Sequence, residues 1–196
     1  MTTYSDLELD ALRELANIGS GTAATALSQM LARTIDVSVP KAAALPLEEA
    51  VASVGEPEAL VVGVVLEVRG DLPGLAVLLF AEKDAGRVCE LLGVEPDSEF
   101  ATSALAEIGN ILCASYLGAI VSLVGIDLQP GPPQTAQDML GSIVESILLA
   151  SAETTDTALL IDSDIRIEGE GTSVQFMLIP SADGVSTLLA RLGLGG

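Results

Sequence analysis

The chain contains two similar segments, and this internal repeat constrains the fold more than any other feature of the sequence. DALRELANIG (residues 10–19) and SALAEIGNIL (residues 103–112) align without gaps at an offset of 93 residues. The chain has only two asparagines, and these, Asn17 and Asn110, occupy the same position in the two segments. Such a coincidence is very improbable for unrelated segments, so we interpret the chain as a duplicated unit.

Hydrophobic periodicity predicts the same order of elements in both halves. Each half is expected to contain a long helix, a short strand, a short helix, two longer strands and a closing helix. The predicted helices cover about residues 5–32, 47–54, 81–92, 98–124, 136–150 and 182–192, and the predicted strands cover 35–39, 60–68, 75–80, 158–167 and 173–179, with a short one near 126. The first strand is expected to stop at Pro40, because proline cannot donate a ladder hydrogen bond.

Paired strands between helices are typical of an α/β layer architecture with antiparallel pairing. We therefore predict an α/β fold, with a central, mostly antiparallel sheet and flanking helices, as a single pseudo-two-fold-symmetric domain over residues 1–196. Its two repeats, at about 1–95 and 96–196, are joined without a Pro-, Gly- or Ser-rich linker. The small residues at 19–26 are expected to serve close packing against another element, because glycine otherwise weakens a helix.

The charge and the missing histidine exclude several classes of function. Asp and Glu number 28 and Lys and Arg number 8, for a formal net charge of −20, which argues against nucleic acid or an anionic membrane as a partner. Without histidine, histidine-dependent triads and nearly all zinc sites are excluded. The two cysteines, Cys89 and Cys113, are interpreted as buried apolar side chains in a reducing compartment. With no signal-peptide pattern and only short apolar runs, we predict a cytoplasmic protein.

Three polar residues share one face of each long helix. At spacings i, i+4 and i+7 they stack along about 10 Å of the helix axis. These two stripes are Asp10, Glu14 and Asn17 in the first segment, and Ser103, Glu107 and Asn110 in the second. A solvated helix face would explain one such stripe. Asparagine, however, is a poor residue for a merely solvated helix interior, so its occurrence twice in mid-helix and nowhere else favours a functional role.

Carboxylates beside a primary amide suit few kinds of chemistry. A glycosidase needs two carboxylates across a cleft, and the second stripe has Ser103 where the first has Asp10. A phosphate-binding loop is not indicated, because Gly19-Ser-Gly21 follows a helical pattern and lacks a third glycine or a lysine. A carboxamide can donate and accept at once, and so can orient a water molecule against a phosphoryl group. A partner would then have to neutralise the phosphoryl charge.

The motif extends beyond the helices, since a proline, Pro40 or Pro133, follows each asparagine by 23 residues. The pattern Asp/Ser-x3-Glu-x2-Asn-x22-Pro resembles the signature of the CheC/CheX/FliY family of response-regulator phosphatases. The stretch ELANIGSGTAATALSQML is similar to the first motif helix of the CheC members in particular. The resemblance covers essentially the whole chain.

This resemblance implies dephosphorylation of a phosphorylated CheY-like receiver, the chemotaxis response regulator that carries an aspartyl phosphate. By resemblance, Asn17 and Asn110 would each enter the receiver's active site and align the attacking water. Glu14 and Glu107 would bind the receiver's lysine and fix the pose. The magnesium would belong to the receiver, so the chain is expected to have no cofactor or metal of its own.

The remaining motif residues are expected to support this site. Asp10 and Ser103 would orient the helix face, and Pro40 and Pro133 would set the backbone beside it. The resemblance also implies the deamidase CheD as a partner, and we expect a monomer. Two other classes stay open at this point, namely a non-catalytic adaptor that binds a receiver or CheD, and a repeat-built structural domain.

Overall fold

The helices and strands follow each other in an order close to the predicted one. The computed structural model describes residues 6–96, 98–150, 157–167, 170–180 and 184–193. Its helices are α1 (Asp6–Leu31), α2 (Leu47–Ala52), α3 (Glu82–Leu91), α4 (Glu99–Val124), α5 (Leu140–Ala150) and α6 (Gly184–Arg191). Its strands are β1 (Ile35–Pro46), β2 (Leu60–Gly70), β3 (Gly74–Ala81), β4 (Leu128–Pro130), β5 (Gln134–Met139), β6 (Thr157–Ile167) and β7 (Glu170–Pro180). The predicted starts of the first and last helices, at Ser5 and Ala182, lie outside the described residues.

The described strands form one sheet, in which every pairing is antiparallel. The strand order is β1-β6-β7-β3-β2, and both β4 and β5 pair with the outer edge of β2. The predicted α/β class with a mostly antiparallel sheet is therefore confirmed. The first repeat contributes β1, β2 and β3, and the second contributes β4 with β5, β6 and β7 as their counterparts. When each strand is exchanged for its counterpart, the same order is obtained, read from the opposite edge of the sheet, as two repeats require. The duplication itself stays a prediction from the sequence.

Helices cover both faces of the sheet. Along β2, Val62, Val64 and Leu66 belong to the larger hydrophobic cluster, which α1, α3, α4 and α6 complete. Val61 packs instead into a smaller cluster with α2 and α5. Burial alternates in this way because successive side chains of a strand point to opposite faces of the sheet. Both long helices, α1 and α4, therefore lie on the same face.

Helix α4 is rich in apolar residues. Among the described helices, it is long and apolar enough to cross a membrane by length and composition alone. In this fold, 56% of the apolar 18-residue stretch of α4 is buried. The helix packs against α1 and β2. This is the position of a core helix, which is apolar on several sides because several elements surround it.

The short helices of the two halves end in the same way. Gly93 follows α3 and Gly193 follows α6, with φ angles of 73° and 78°. Their N–H groups donate to the carbonyls of Glu90 and Ala190, at 3.0 Å in both cases. Left-handed backbone at this position is accessible to glycine at no steric cost, so the glycines terminate both helices.

One predicted helix begins too early. The sequence predicts a helix from residue 136, but residues 136–139 belong to strand β5 and α5 begins only at Leu140. Strand β5 pairs with β2 along Leu60–Val65, where the edge of β2 would otherwise be open. The ladder hydrogen bonds of this pairing override the local helical preference of Ala136 and Gln137.

One predicted strand ends too early. Strand β1 does not stop at Pro40 but continues to Pro46. Its register against β6 shifts between Ser38 and Lys41, so that Pro40 lies at an irregularity of the ladder. Proline is tolerated there because β1 is an edge strand and a bulged residue needs no ladder hydrogen bond.

Candidate functional site

The structure places the predicted stripe residues on the two long helices. Asp10, Glu14 and Asn17 lie on α1, and Ser103, Glu107 and Asn110 lie on α4. All are exposed except Asn110, which is half-buried. The opposite sides of the helices are in the core, as shown on α1 by Leu12 and Leu15, which are 4% and 1% exposed. Each stripe therefore faces away from the sheet.

The functional groups of both stripes are available to a partner. Within the parts of the chain that the structure describes, nothing hydrogen-bonds to the carboxamides of Asn17 and Asn110. The same holds, over the same residues, for the carboxylates of Glu14 and Glu107. At Asn17 the backbone carbonyl accepts a bond from Ser20 Oγ at 2.8 Å, which leaves the side chain unengaged. Both pairs can therefore bind an external group without first breaking an internal hydrogen bond.

The two stripes differ at their first position. Asp10 Oδ1 accepts a hydrogen bond from Arg13 Nη1 at 2.8 Å, in an exposed ion pair. The corresponding residues on α4 are Ser103 and Ala106. Such a surface pair contributes little stability, but it keeps a guanidinium beside the first stripe. Sequence reasoning missed Arg13, although comparing positions 13 and 106 at the offset of 93 would have shown the difference.

A glycine sets the distance between the two helices. A Cβ at Gly19 of α1 would overlap the ring of Tyr116 on α4 and lie 3.1 Å from its Cα. Tyr116 is fully buried, its hydroxyl forms a 2.6 Å hydrogen bond with Ser163 Oγ, and its ring lies 4.8 Å from that of Phe176. Burial raises the pKa of Tyr116 while the bond to Ser163 opposes this shift, so the phenol stays protonated. The close packing predicted for the small residues is thus confirmed at Gly19.

A second glycine brings α4 close to the sheet beside Asn110. A Cβ at Gly109 would lie 2.8 Å from Val64 Cγ1 on β2, closer than side chains normally approach. The backbone of α4 therefore lies directly against β2 one residue before Asn110. The two motif asparagines differ in exposure, since Asn110 is half-buried and Asn17 is exposed.

The two motif prolines lie in the strand region and not on the motif helices. Pro40 is within β1 at its register shift, and the half-buried Pro133 lies between β4 and β5. Strand β1 contacts α1, and β4 and β5 contact α4. Pro40 thus lies within the strand that neighbours its motif helix, and Pro133 lies between the two strands that neighbour its own. A structural role for them, as the sequence suggested, stays a prediction.

The described residues offer little other chemistry. They contain no group of three or more Cys, Asp and Glu side chains that could hold a metal ion. The cysteines are free and buried, as predicted. Burial raises the pKa of the Cys113 thiol to about 12 and also raises that of Cys89, so neither forms a reactive thiolate at neutral pH. The exposed carboxylates of the stripes and their unpartnered carboxamides are therefore the best candidates for a functional site.

The chain is similar in sequence and fold to known proteins of bacterial chemotaxis and the flagellar motor. Residues 7–42, which include the first stripe and Pro40, match the model of the CheC-like family. The CheY-P phosphatase CheC of Bacillus subtilis is 32% identical over 197 residues, which cover 95% of this chain and 94% of that protein. The crystal structure of Thermotoga maritima FliY superposes over 100% of both chains, with a TM-score of 0.75 and 23% identity.

A more distant match is the crystal structure of the CheX-CheY-BeF3-Mg complex of Borrelia burgdorferi. The aligned chain covers 87% of this chain and 97% of its own length, with a TM-score of 0.51 and 15% identity. The match extends the shared fold beyond CheC and FliY. Since the identity to B. subtilis CheC extends over nearly the whole length of both proteins, the relationship is not limited to the first motif. This protein is a member of the CheC-like family.

Proposed function

We propose that this protein is a phosphatase that hydrolyses the aspartyl phosphate of a phosphorylated CheY-like receiver in chemotaxis. Membership of the CheC-like family supports the activity, since the B. subtilis relative is named a CheY-P phosphatase. The Borrelia structure supports the partner, because it contains CheX together with CheY. The observation that carries the proposal is the presence of two Glu and Asn pairs, exposed apart from the half-buried Asn110, whose functional groups have no partner among the described residues.

The carboxamides of Asn17 and Asn110 orient the attacking water. A carboxamide oxygen accepts a hydrogen bond from water while its NH2 group can donate to a phosphoryl oxygen, so one side chain can hold the water in line. Water attacks phosphorus, the bond from phosphorus to the aspartyl oxygen breaks, and aspartate and inorganic phosphate are released. An acyl phosphate is already labile, so correct positioning of one water molecule is a sufficient contribution.

The carboxylates of Glu14 and Glu107 hold the receiver in register. Each lies three residues before its asparagine, about 4.5 Å along the helix axis and on the same face. An ion pair to the receiver's lysine would therefore fix the carboxamide relative to the phosphoryl group. Mg2+ is assigned to the receiver, because the described residues lack a cluster of metal ligands and the Borrelia complex contains Mg2+ together with CheY.

We also propose that residues 1–196 act as one cytoplasmic domain and as a monomer. Both predicted repeats contribute strands to the same sheet, which supports a single unit. Asp10 and Ser103 support the stripe face, and the deamidase CheD is a second partner that rests on the family resemblance alone. An adaptor that binds a receiver or CheD without turnover is the alternative function.

The decay of a phosphorylated CheY-like receiver tests this proposal. The receiver is phosphorylated with acetyl phosphate, and phosphate release is measured with wild type, Asn17→Ala, Asn110→Ala and the double variant. We expect each single variant to retain activity at the other stripe, and the double variant to lose on the order of 100-fold in kcat, as expected for loss of a positioning group. A matched control is Gln29→Ala, which removes an exposed carboxamide of α1 about 18 Å along the axis from Asn17.

The outcome separates the two functions. If the double asparagine variant releases phosphate as fast as wild type, the water-positioning role is wrong. If wild type binds the receiver but does not shorten the lifetime of its phosphate, the protein is an adaptor. Glu14→Gln and Glu107→Gln together should raise KM more than they lower kcat, because they remove a contact made before the chemical step.

A further inference from the structure

Large apolar side chains are exposed at matching positions of the two long helices. Leu7 on α1 and Phe100 on α4 are each 65% exposed, and their numbers differ by the repeat offset of 93. Phe100 differs in this from the other two phenylalanines, Phe80 and Phe176, which are buried. Met30 and Leu123 form a second pair at this offset and are each 43% exposed, so repetition alone does not indicate a function. Leu7 and Phe100 differ from that pair in their greater exposure and in their position relative to the polar stripes.

Leu7 and Phe100, which we name the apolar anchors, lie on the same helix faces as the stripes. Leu7 precedes Asp10 by three residues and Glu14 by seven, and Phe100 precedes Ser103 and Glu107 by the same intervals. Residues at i, i+3 and i+7 share one side of a helix. The anchors lie ten residues before the asparagines, about 15 Å along the helix axis.

Each stripe also has an apolar residue at its other end. Ile18 follows Asn17 and is 36% exposed, and Ile111 follows Asn110 and is half-buried. Each polar stripe is therefore bordered by apolar side chains at both ends. A polar centre bordered by apolar side chains on a helix face is suited to contact with a protein surface, whereas small ligands usually bind in concave pockets.

We propose that the apolar anchors are docking contacts for the receiver, one at each stripe, and that they determine affinity and not turnover. This inference rests on the proposed function. A stable protein interface buries about 800 Å² on each partner, a patch roughly 28 Å across. An interface of this size that includes Asn17 or Asn110 and extends toward the N-terminal end of the helix reaches the anchor, about 15 Å away.

The charge of the protein gives a physical reason for apolar anchors. With a net charge of −20, the protein repels an acidic phosphorylated partner at long range, and one guanidinium beside the first stripe does not compensate for this. Affinity must then come from short-range contacts, and burial of Leu and Phe side chains is an effective source. The anchors thus oppose the electrostatic repulsion without placing a cation beside the reacting group.

Variants that isolate one stripe test the anchors separately. In the Asn110→Ala background only the α1 stripe keeps its asparagine, and there Leu7→Ser is expected to raise KM about ten-fold or more, with kcat nearly unchanged. Phe100→Ser should leave KM unchanged in that background. In the Asn17→Ala background the two effects should be exchanged. Met30→Ser and Leu123→Ser are matched controls, because Met30 and Leu123 are each 43% exposed and lie about 20 Å along the axis beyond the asparagines.

Receiver binding, measured by calorimetry, gives a second readout that needs no turnover. The double variant Leu7→Ser/Phe100→Ser should weaken binding about ten-fold or more, and Met30→Ser/Leu123→Ser should leave it unchanged. The inference is overturned if the anchor variants bind as wild type does, or if light scattering shows that they dissociate a dimer of this chain. If the anchor variants bind the receiver as wild type does while Asn17→Ala/Asn110→Ala is inactive, the proposed function stands and only the docking role of the anchors is wrong. If the double asparagine variant is fully active, the water-positioning role is wrong, and if wild type does not speed phosphate release at all, the proposed function itself is wrong.

Discussion

The contact between α1 and α4 at Gly19 can be tested by adding one methyl group. In Gly19→Ala the new Cβ would overlap the Tyr116 ring, which its hydrogen bond to Ser163 and its contact with Phe176 hold in place. We expect overpacking to cost about 2 kcal/mol, and the weakened buried hydrogen bond to cost about 1 kcal/mol more. Replacing a glycine within a helix returns about 1 kcal/mol. The net loss in the free energy of unfolding is therefore about 2 kcal/mol.

A matched control lies two residues along the same helix. A Cβ at Gly21 would have no atom within 4 Å, so Gly21→Ala should gain the helix-propensity term of about 1 kcal/mol without any clash. For a chain of this size, thermal denaturation followed by circular dichroism should show Tm falling by roughly 4–8 °C in Gly19→Ala and rising by roughly 2–4 °C in Gly21→Ala. If both variants raise Tm, the close approach of the two helices is refuted.

Two further predictions concern charge. Phosphatase activity should hold or rise as the salt concentration increases from about 10 to about 150 mM. The reason is that salt screens the repulsion between this protein, with its net charge of −20, and an acidic receiver. A steep fall in kcat/KM over this range would contradict the prediction. Burial raises the pKa of Asp162. The positive charge of Lys41 lowers this pKa and the negative charge of Asp164 raises it, so that the net shift is upward. The folded state therefore favours the protonated form, so stability falls as the pH rises through the unfolded pKa of about 3.9 and the raised folded pKa. Asp162→Asn should thus raise Tm at pH 7, and this gain in Tm should disappear near pH 3. A Tm at pH 7 equal to or below that of wild type would refute the reasoning.

The long helices and their stripes could be predicted because their signals are local. One face of α1 carries Asp10, Glu14 and Asn17, as predicted. The reason is that 3.6 residues per turn bring positions i, i+4 and i+7 to the same side of a helix. Leu12 and Leu15, on the opposite side of the helix, are buried. The asparagine count could be read without any structure, and it directed attention to the residues that prove to be accessible.

The predictions that failed depend on neighbours that are distant in sequence. Residues 136–139 form a strand because the edge of β2 is there to pair with, and nothing in their own sequence indicates this. Strand β1 passes through Pro40 because it lies at the edge of the sheet, which a reading of residues 35–40 alone does not reveal. Arg13 is an exception, because its ion pair with Asp10 is a local i, i+3 contact that comparison of the two repeats could have indicated.

The sequence alone determined the two motif helices, their spacing and the polar residues that they present, because helical periodicity and motif spacing are properties of the chain itself. Only the tertiary structure decided that α1 and α4 lie on one face of the same sheet, that Gly19 admits the Tyr116 ring, and that Leu7 and Phe100 remain uncovered. These features depend on which surfaces meet, and a surface is buried or left open by elements that lie far away along the chain.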